Sequence, residues 1–252
     1  MAYGDFVVMR DLNFVVRRGD IFIIMGGSGC GKSTLMRHLI GLKRPAAGKV
    51  LIGGASLWET EGEERDALLR RLGVMYQSGA LWSSLTLAEN IGLPLEQFTD
   101  LSAAAIREVA AYKLALVGLA GFEDYYPSEI SGGMQKRAGV ARAMALDPEI
   151  LFFDEPSAGL DPVSARRLDD LILELRESLR TTMIVVTHEL ESLMGIGTNS
   201  VYLDVETRTQ IALGRPRGLL EGCRDAKVQA FLTRGGQAAP AGPTERANGE
   251  AG

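Results

Sequence analysis

The residues with the clearest chemistry form one short run that matches the spacing G-x-x-x-x-G-K-[ST]. Glycines in such a run let backbone N–H groups turn towards phosphate, and the start of the following helix adds partial positive charge. Lys32 would reach the β- and γ-phosphates, and the hydroxyl of Ser33 would bind Mg²⁺. A glycine-rich turn with an accidental lysine is the alternative. The predicted nucleotide-binding residues are Gly26, Gly27, Ser28, Gly29, Cys30, Gly31, Lys32, Ser33 and Thr34.

Two adjacent carboxylates follow a run of four large apolar residues further along the chain. Asp154 closes this predicted strand and Glu155 comes next. A strand end places carboxylates at the edge of a sheet, where ligands bind in open α/β folds. We therefore expect Asp154 to hold Mg²⁺ through water and Glu155 to polarise an attacking water. A solvated acidic pair at a strand exit is the alternative.

A second candidate anion site opens a predicted helix at Ser131-Gly132-Gly133-Met134. Glycines at a helix start permit close backbone approach to an anion, but an ordinary serine-capped helix would look the same. One of the two histidines, His188, follows a predicted strand and could hydrogen-bond a γ-phosphate, although a lone histidine is more often structural. The other, His38, has no such context, and we interpret it as a surface or packing residue.

The elements that would position these residues alternate along the chain. Short apolar runs predict strands, and amphipathic stretches predict helices. Such alternation indicates a mainly parallel sheet in an α/β fold. The predicted strands are 21–25, 50–52, 74–76, 150–154 and 183–186, and the predicted helices are 32–40, 102–119, 131–145 and 164–179, the last with a start signal at Asp161-Pro162.

Composition narrows the class of protein. With 252 residues, 46% of them hydrophobic, the chain can bury one sizeable core. A net charge of −5 argues against a free-standing nucleic-acid binder, which usually carries a basic excess. No apolar run approaches the roughly 18 residues of a membrane span, and the first residues do not read as a secretory signal. Two cysteines, Cys30 and Cys223, fit a reducing compartment, so we expect a cytoplasmic protein that could still dock on a membrane protein.

Taken in order, these motifs resemble those of an ABC-transporter ATPase cassette over residues 2–232. The matching positions are Gly26–Ser33, Gln77, the run from Ser131 to Gln135, Asp154-Glu155, Ser157 to Asp161, and His188. The resemblance implies an ATPase coupled to transport. It also implies a P-loop NTPase fold with a RecA-like parallel-sheet lobe, a small antiparallel β lobe and a helical signature lobe inserted at about residues 82–145. Residues 233–252, which contain no large apolar residue, would be a disordered tail.

The resemblance also implies roles for individual residues. Cassettes of this family work as head-to-tail dimers, so Ser131, Gly132, Gly133 and Met134 would complete the ATP site of the other subunit, with Asp161 at the dimer contact. Tyr3 would stack on adenine, Gln77 would link Mg²⁺ and the attacking water to the membrane partner, and His188 would be the switch histidine. Two positions depart from the pattern: only two residues precede Tyr3, and Met134 stands where many members have glutamine.

Two runs narrow the subfamily. Gln77 to Trp82 and Ser131 to Arg137 resemble the ATPases of Mce-type phospholipid transporters. This implies a homodimer on the cytoplasmic face of the inner membrane, a YrbE-type permease, a periplasmic Mce-domain protein and a small cytoplasmic accessory subunit, with no nucleic acid. The ATPase of a polar amino-acid or other small-solute importer is the alternative. A DNA-bound ABC ATPase is less consistent, because the 99-residue interval between Lys32 and Ser131 leaves no room for a long coiled coil.

Two further expectations concern single side chains. Leu81, Trp82 and Leu85 lie in a predicted surface loop, where exposed apolar residues often mark a docking site. Packing between the two lobes is the alternative. Cys30 lies two residues before Lys32, so we expect an electropositive surrounding to favour its thiolate and to make it react faster than Cys223. A side chain that points into the fold would instead be inert.

Overall fold

The computed structural model describes residues 1–4, 6–77 and 79–233, with the side chain of Tyr3 outside that description. Within these residues the strands are β1 (Ala2–Tyr3), β2 (Phe6–Val7), β3 (Ile21–Gly26), β4 (Leu51–Ile52), β5 (Ala55–Ser56), β6 (Leu72–Met75), β7 (Ile150–Asp154), β8 (Thr182–Val186), β9 (Asn199–Asp204) and β10 (Thr209–Gly214). The predicted adenine-stacking side chain of Tyr3 and residues 234–252 of the predicted disordered tail therefore lie outside what the structure describes.

The helices are α1 (Lys32–Leu39), α2 (Gly62–Arg70), α3 (Leu87–Phe98), α4 (Ala103–Leu116), α5 (Gly132–Ala143), α6 (Pro162–Leu179), α7 (Leu190–Ile196), α8 (Pro216–Gly222) and α9 (Ala226–Leu232), with a 3-10 turn at Pro127–Glu129. The four predicted helices correspond to α1, α4, α5 and α6. Helices α2, α3, α7, α8 and α9 were not predicted. None of the helices in the described ranges is long and apolar enough to cross a membrane.

The main sheet has the strand order β10-β9-β3-β8-β7-β6. All neighbours run parallel except the pair β9 and β10, which confirms the predicted parallel α/β sheet. Strands β3 and β8 are buried along their whole length. Parallel strands covered on both faces carry continuous apolar sequence, which explains why these runs were recognisable.

Alternate residues of β3 enter two different apolar clusters. Ile21, Ile23 and Met25 pack with residues of α3, α4, α5 and α6 on one face of the sheet. Phe22 and Ile24 pack with α1 on the other face. This two-sided burial fixes the register of the strand whose end begins the phosphate loop.

Two small antiparallel ribbons complete the described fold. Strand β1 pairs with β2, and β4 pairs with β5. The predicted strand at 50–52 therefore belongs to a ribbon rather than to the main sheet. The second ribbon has its own small core of Ile52, Leu57 and Leu68, the last contributed by α2. These ribbons correspond to the expected small antiparallel part of the fold.

Candidate active site

Four neighbouring parallel strands end at the same edge of the sheet. The glycine-rich loop follows β3, Asp154 ends β7, and β8 is followed by His188 after one intervening residue. Gln77 comes two residues after β6, the outermost of the four. The topology therefore directs four motifs that are far apart in sequence to one edge, where open α/β sheets bind ligands.

The phosphate loop begins at a position that only glycine can occupy. Gly26 has a φ angle of +151°, and a Cβ atom there would lie 2.4 Å from the carbonyl oxygen of Leu203 on β9. At the other end of the loop, Lys32 donates hydrogen bonds of 3.0 Å to the carbonyls of Gly26 and Gly27. No acidic residue lies in the first turn of α1, so the helix N-terminus retains its positive end for an anion.

Cys30 does not have the environment that we expected. Its side chain is 1% exposed and packs in the apolar cluster beneath the loop. Desolvation raises the pKa of its thiol, and the nearby charge of Lys32 only partly offsets this effect. The expectation of a reactive thiolate is therefore wrong, because the backbone faces the anion site while the sulfur points into the core.

Asp154 offers an oxygen suited to a cation. Its side chain is half-buried, and Oδ1 is buried without a hydrogen-bond partner among the described residues. Desolvation raises the pKa of this carboxyl, as does the charge of Glu155, while Arg37 and Lys32 act in the opposite direction. A buried carboxylate oxygen without a donor is unfavourable unless something binds it. The unpartnered oxygen of Asp154 therefore fits the predicted Mg²⁺ site of Ser33, Gln77 and Asp154, since proteins usually bind Mg²⁺ through one or two carboxylates together with substrate phosphates.

Glu155 is fixed through both its backbone and its side chain. It adopts a left-handed conformation with φ of 48°, and its N–H donates to the carbonyl of Val186 on β8 at 2.8 Å. His188 Nδ1 lies 2.9 Å from Glu155 Oε1. An ionised carboxylate only accepts hydrogen bonds, so this geometry assigns the proton to Nδ1. The other oxygen, Oε2, is buried with no partner in the described residues. The structure thus brings together two predicted catalytic residues and leaves one carboxylate oxygen available.

Gln77 lies in a loop whose backbone carbonyls accept hydrogen bonds from side chains of helix α5. Its carbonyl accepts a hydrogen bond from the ammonium of Lys136, a buried residue. Three residues further on, the carbonyl of Ala80 accepts from Arg142. A cavity of about 540 Å³ lies between this loop and α5, and Gln77, Lys136 and Asp154 are among its lining residues.

Lys136 and Arg142 were missed as functional candidates. Both lie in the part of α5 in which Ala138, Val140 and Ala141 are buried, and Lys136 is itself buried. A cation among buried positions requires a partner, and this was the available signal. The identity of the partner was not readable, because each contact spans about sixty residues of sequence.

The run Ser131 to Met134 forms the start of α5, and its first two residues are exposed to solvent. Ser131 is exposed, and its Oγ accepts a hydrogen bond of 3.3 Å from the N–H of Met134. Gly132 is also exposed, whereas Gln135 donates to the carbonyl of Pro127 at 2.8 Å and fixes the turn that precedes the helix. Ser131 is therefore a helix cap, as in the structural alternative, and is also open to a partner.

Asp161 and His38 have clear local roles. Asp161 caps α6 by accepting 3.0 Å hydrogen bonds from the N–H groups of Val163 and Ser164, which confirms the start signal at Asp161-Pro162. Hydrogen bonding, above all from Ser164, lowers the pKa of the Asp161 carboxyl. His38 is 2% exposed and its Nδ1 lies 2.7 Å from the carbonyl of Lys43. This confirms the packing interpretation of His38.

The loop after Gln77 exposes one aromatic residue on a rigid support. Trp82 is 59% exposed, whereas Leu81 packs against the main core and Leu85 is half-buried. Asn90 is fully buried and explains the order of this loop. Its Oδ1 accepts from the N–H of Trp82 at 2.7 Å, and its Nδ2 donates to the carbonyls of Trp82, Leu85 and Thr86. Packing into the core thus applies to Leu81 but not to Trp82.

Comparison with known proteins gives one consistent family. Residues 9–158 match the family described as ABC transporter. The chain is 36% identical over 244 residues to the probable ribonucleotide transport ATP-binding protein mkl of Mycobacterium tuberculosis, covering 97% of this chain and 67% of that protein. It is 38% identical over 229 residues to the intermembrane phospholipid transport system ATP-binding protein MlaF of Haemophilus influenzae, covering 91% of this chain and 86% of that protein.

A solved structure of an ATP-binding cassette has the same fold as this chain. The dimeric ATP-binding cassette MJ0796, bound to ADP and Pi in a post-hydrolysis state, superposes with a TM-score of 0.73 at 29% identity. The superposition covers 82% of this chain and 90% of that one.

Proposed function

The chain belongs to the ABC transporter family and is the ATPase subunit of such a transporter, and from this premise we propose that the transporter it energises moves phospholipid. The observation that supports this substrate is the similarity to an intermembrane phospholipid transport ATPase along nearly the whole of both chains. The subfamily resemblance of the runs 77–82 and 131–137 points in the same direction.

In the proposed reaction, the chain's own residues bind the nucleotide and activate water. Lys32 and the N-terminus of α1 neutralise the phosphates. Ser33, Gln77 and Asp154 are the proposed Mg²⁺ ligands, and bound Mg²⁺ would supply charge compensation on the phosphates. Oε2 of Glu155 is the oxygen that we assign to the attacking water, because Oε1 is already engaged by His188. His188 orients the carboxylate and is exposed enough to meet the γ-phosphate.

The proposed active unit is a homodimer. In it, the exposed start of α5, residues 131–134, contacts the nucleotide of the other subunit, and Asp161 lies at the subunit contact. The dimeric state of the solved ADP-bound relative supports this arrangement. Tyr3 is the proposed adenine-stacking residue, and Gln77 is the proposed link between the nucleotide site and the membrane partner.

The proposed partner is an integral membrane permease of the YrbE type at the cytoplasmic face of the inner membrane. Trp82 supplies a docking element for it, because its ring is exposed while Asn90 fixes its backbone in the loop that follows Gln77. A periplasmic Mce-domain protein and a small cytoplasmic accessory subunit would complete the complex.

Small-solute import is the second candidate substrate class. The mycobacterial relative mkl, a probable ribonucleotide transport ATP-binding protein, favours a small solute as the cargo. The two candidates share the ATPase chemistry and differ in the membrane subunit and its cargo.

Purification of the tagged chain with its partners from detergent-solubilised membranes discriminates between them. We expect a YrbE-type permease and phospholipid to be retained, both identified by mass spectrometry, and ATPase activity in the assembled complex. Lys32→Ala should retain the partners and lose nucleotide binding, since it removes a charge directed at the phosphates. A solute-importer permease without bound lipid would overturn the lipid proposal and leave the ATPase assignment in place.

A further inference from the structure

One face of α5 makes three successive contacts with the loop that carries Gln77. The ammonium of Lys136 donates to the carbonyl of Gln77, and the guanidinium of Arg142 donates to the carbonyl of Ala80. Between them, a Cβ atom on Gly139 would lie 2.9 Å from the Cα of Gly79. Positions 136, 139 and 142 are three residues apart and so share one side of the helix. The backbone of residues 77, 79 and 80 is thus held at both ends, with direct backbone contact in the middle.

The two cations are costly in this position if their only role is packing. Lys136 is 8% exposed, and desolvation lowers the pKa of its ammonium, an effect that the more distant charge of Glu155 only partly offsets. Desolvation also lowers the pKa of Arg142. A buried charge that meets neutral carbonyls is weak support for stability, because an apolar side chain of similar volume would avoid the desolvation. Stability therefore does not explain why Lys136 and Arg142 are charged. The loop that they contact contains Gln77, the proposed link to the membrane partner.

Helix α5 connects this contact to a second location. Its N-terminal residues Ser131 and Gly132 are exposed, whereas Lys136, one turn later, is buried against the loop. Lys136 and Gln77 also line the same cavity as Asp154. Helix α5 has 12 residues and moves as a rigid unit. If a ligand binds at its N-terminus and reorients the helix, the groups bonded to residues further along it move as well.

We propose that Lys136 and Arg142 are positioning residues that tie the backbone around Gln77 to α5, so that the placement of Gln77 beside Asp154 follows the orientation of α5. This inference rests on the proposed function, in which the start of α5 contacts the partner's nucleotide. Binding at one nucleotide site then alters the position of Gln77 at the other. The charged side chains supply the connection, and the contact of Gly139 with Gly79 supplies the close fit.

Amide hydrogen exchange of the nucleotide-free chain tests the physical connection without any activity measurement. In Lys136→Met, peptides that cover residues 76–82 should exchange at least about tenfold faster, since a hydrogen bond to a charged donor is lost. The matched control is Lys113→Met. Lys113 is a lysine of α4 that is 2% exposed and pairs with Asp147 instead of with the loop. Exchange of residues 76–82 should be unchanged in this control. Equal exchange in the wild type and Lys136→Met would overturn the proposal.

Steady-state kinetics of the full chain test the consequence. Lys136→Met should lower kcat by about tenfold while KM and the affinity for a fluorescent ATP analogue stay unchanged, as expected when an interaction matters only beyond substrate binding. Lys136→Arg should restore most of kcat, because a guanidinium can also donate to the Gln77 carbonyl. A normal kcat in Lys136→Met, or a failure of Lys136→Arg to restore it, would overturn the positioning role.

The thermal midpoint separates this role from a merely structural one. Lys136→Met should have a midpoint equal to or above that of the wild type, because it removes a desolvated charge. A lower midpoint, with kcat falling in parallel, would identify Lys136 as a structural residue and overturn the proposal. If the wild-type chain neither binds nor hydrolyses ATP, the proposed function fails, whereas the exchange experiment still decides whether Lys136 holds the loop.

Discussion

His188 Nδ1 lies 2.9 Å from Oε1 of Glu155, and this contact divides the carboxylate into two unequal oxygens. The oxygen bonded to the imidazole is fixed in direction. The other oxygen, Oε2, is buried and has no partner among the described residues. The carboxylate as a whole is only 14% exposed, which favours a carboxylate set up to receive one water molecule over a solvated acidic pair.

Glu155→Gln should prevent activation of the attacking water while keeping the size of the side chain. We expect ATP binding to be retained and turnover to fall by about 100-fold or more, because an amide is a poor acceptor for a proton of the attacking water. An ATP-bound dimer should then accumulate on size-exclusion chromatography with multi-angle light scattering. Near-normal ATPase activity in the assembled complex would remove Glu155 from this role.

Ser131→Arg should block the closed dimer. In the proposed dimer Ser131 faces the partner's nucleotide, and the longer arginine side chain would occupy that space, so ATP-dependent dimerisation should be lost. The affinity of dilute monomer for ATP should be unchanged. The control is Ser102→Arg, because Ser102 caps α4 through an equivalent 3.3 Å hydrogen bond from the N–H of Ala105. Dimerisation that is lost equally in both variants would indicate a helix-capping effect and contradict the shared site.

Trp82→Glu should release the membrane partner. The ring is exposed on a loop ordered by Asn90, so the substitution adds charge without disturbing a packed core. We expect intact nucleotide binding and loss of the permease during co-purification. Tyr112→Glu is the control, since Tyr112 on α4 is 58% exposed, almost the same fraction as Trp82. A complex that stays assembled with Trp82→Glu would exclude this docking site.

Alkylation should occur at Cys223 and not at Cys30. Cys223 is half-buried, whereas burial raises the pKa of the Cys30 thiol and removes it from solvent. Brief treatment with N-ethylmaleimide at neutral pH, followed by peptide mass spectrometry, should therefore label position 223, with or without Mg-ATP. Labelling of Cys30 faster than Cys223 would restore the expectation of a reactive thiolate at Cys30.

Asp204 should make the fold resistant to moderate acid. Desolvation opposes ionisation of this carboxyl, but hydrogen bonds from Thr207 and Lys227 lower its pKa to about 2. Because this value lies below that of an unfolded aspartate, about 3.9, the stabilisation is complete above the unfolded value and is lost as the pH falls towards 2.

Lys227→Met should therefore lower the free energy of unfolding at pH 7 and shift acid unfolding to higher pH, as measured by urea titration at several pH values. Lys49→Met is the control, since Lys49 forms an ion pair with Glu59 that is more than half exposed on both sides. Exposed pairs of this kind contribute little. Equal sensitivity of the two variants to acid would contradict the role of Asp204.

The local parts of the site were predictable from the sequence because their signals are local. The phosphate loop lies between a fully buried strand and a helix, and Asp154 ends a run of large apolar residues. In parallel sheets such strands have a continuous apolar pattern, so their ends could be located to within about one residue.

The contacts that orient Gln77 were not predictable. Lys136 and Gln77 are 59 residues apart, and no local pattern pairs a side-chain donor with a distant backbone carbonyl. The burial of Cys30 was also missed. Its neighbours in the loop are glycines, and no repeating pattern there indicates which way its side chain points. Helix α3 was missed because Pro94 lies inside it and its sequence is largely apolar.

At Glu155, the left-handed backbone lowers the stability of the fold, whereas the side chain is proposed to be needed for ATP turnover. A residue other than glycine in this region costs about 1–3 kcal/mol, which the surrounding sheet must absorb. Glycine there would relax the backbone and remove the carboxylate in the same step. Laboratory evolution of this chain for heat resistance alone would therefore tend to discard its proposed catalytic group, and a selection scheme must reward ATP hydrolysis in every round to retain it.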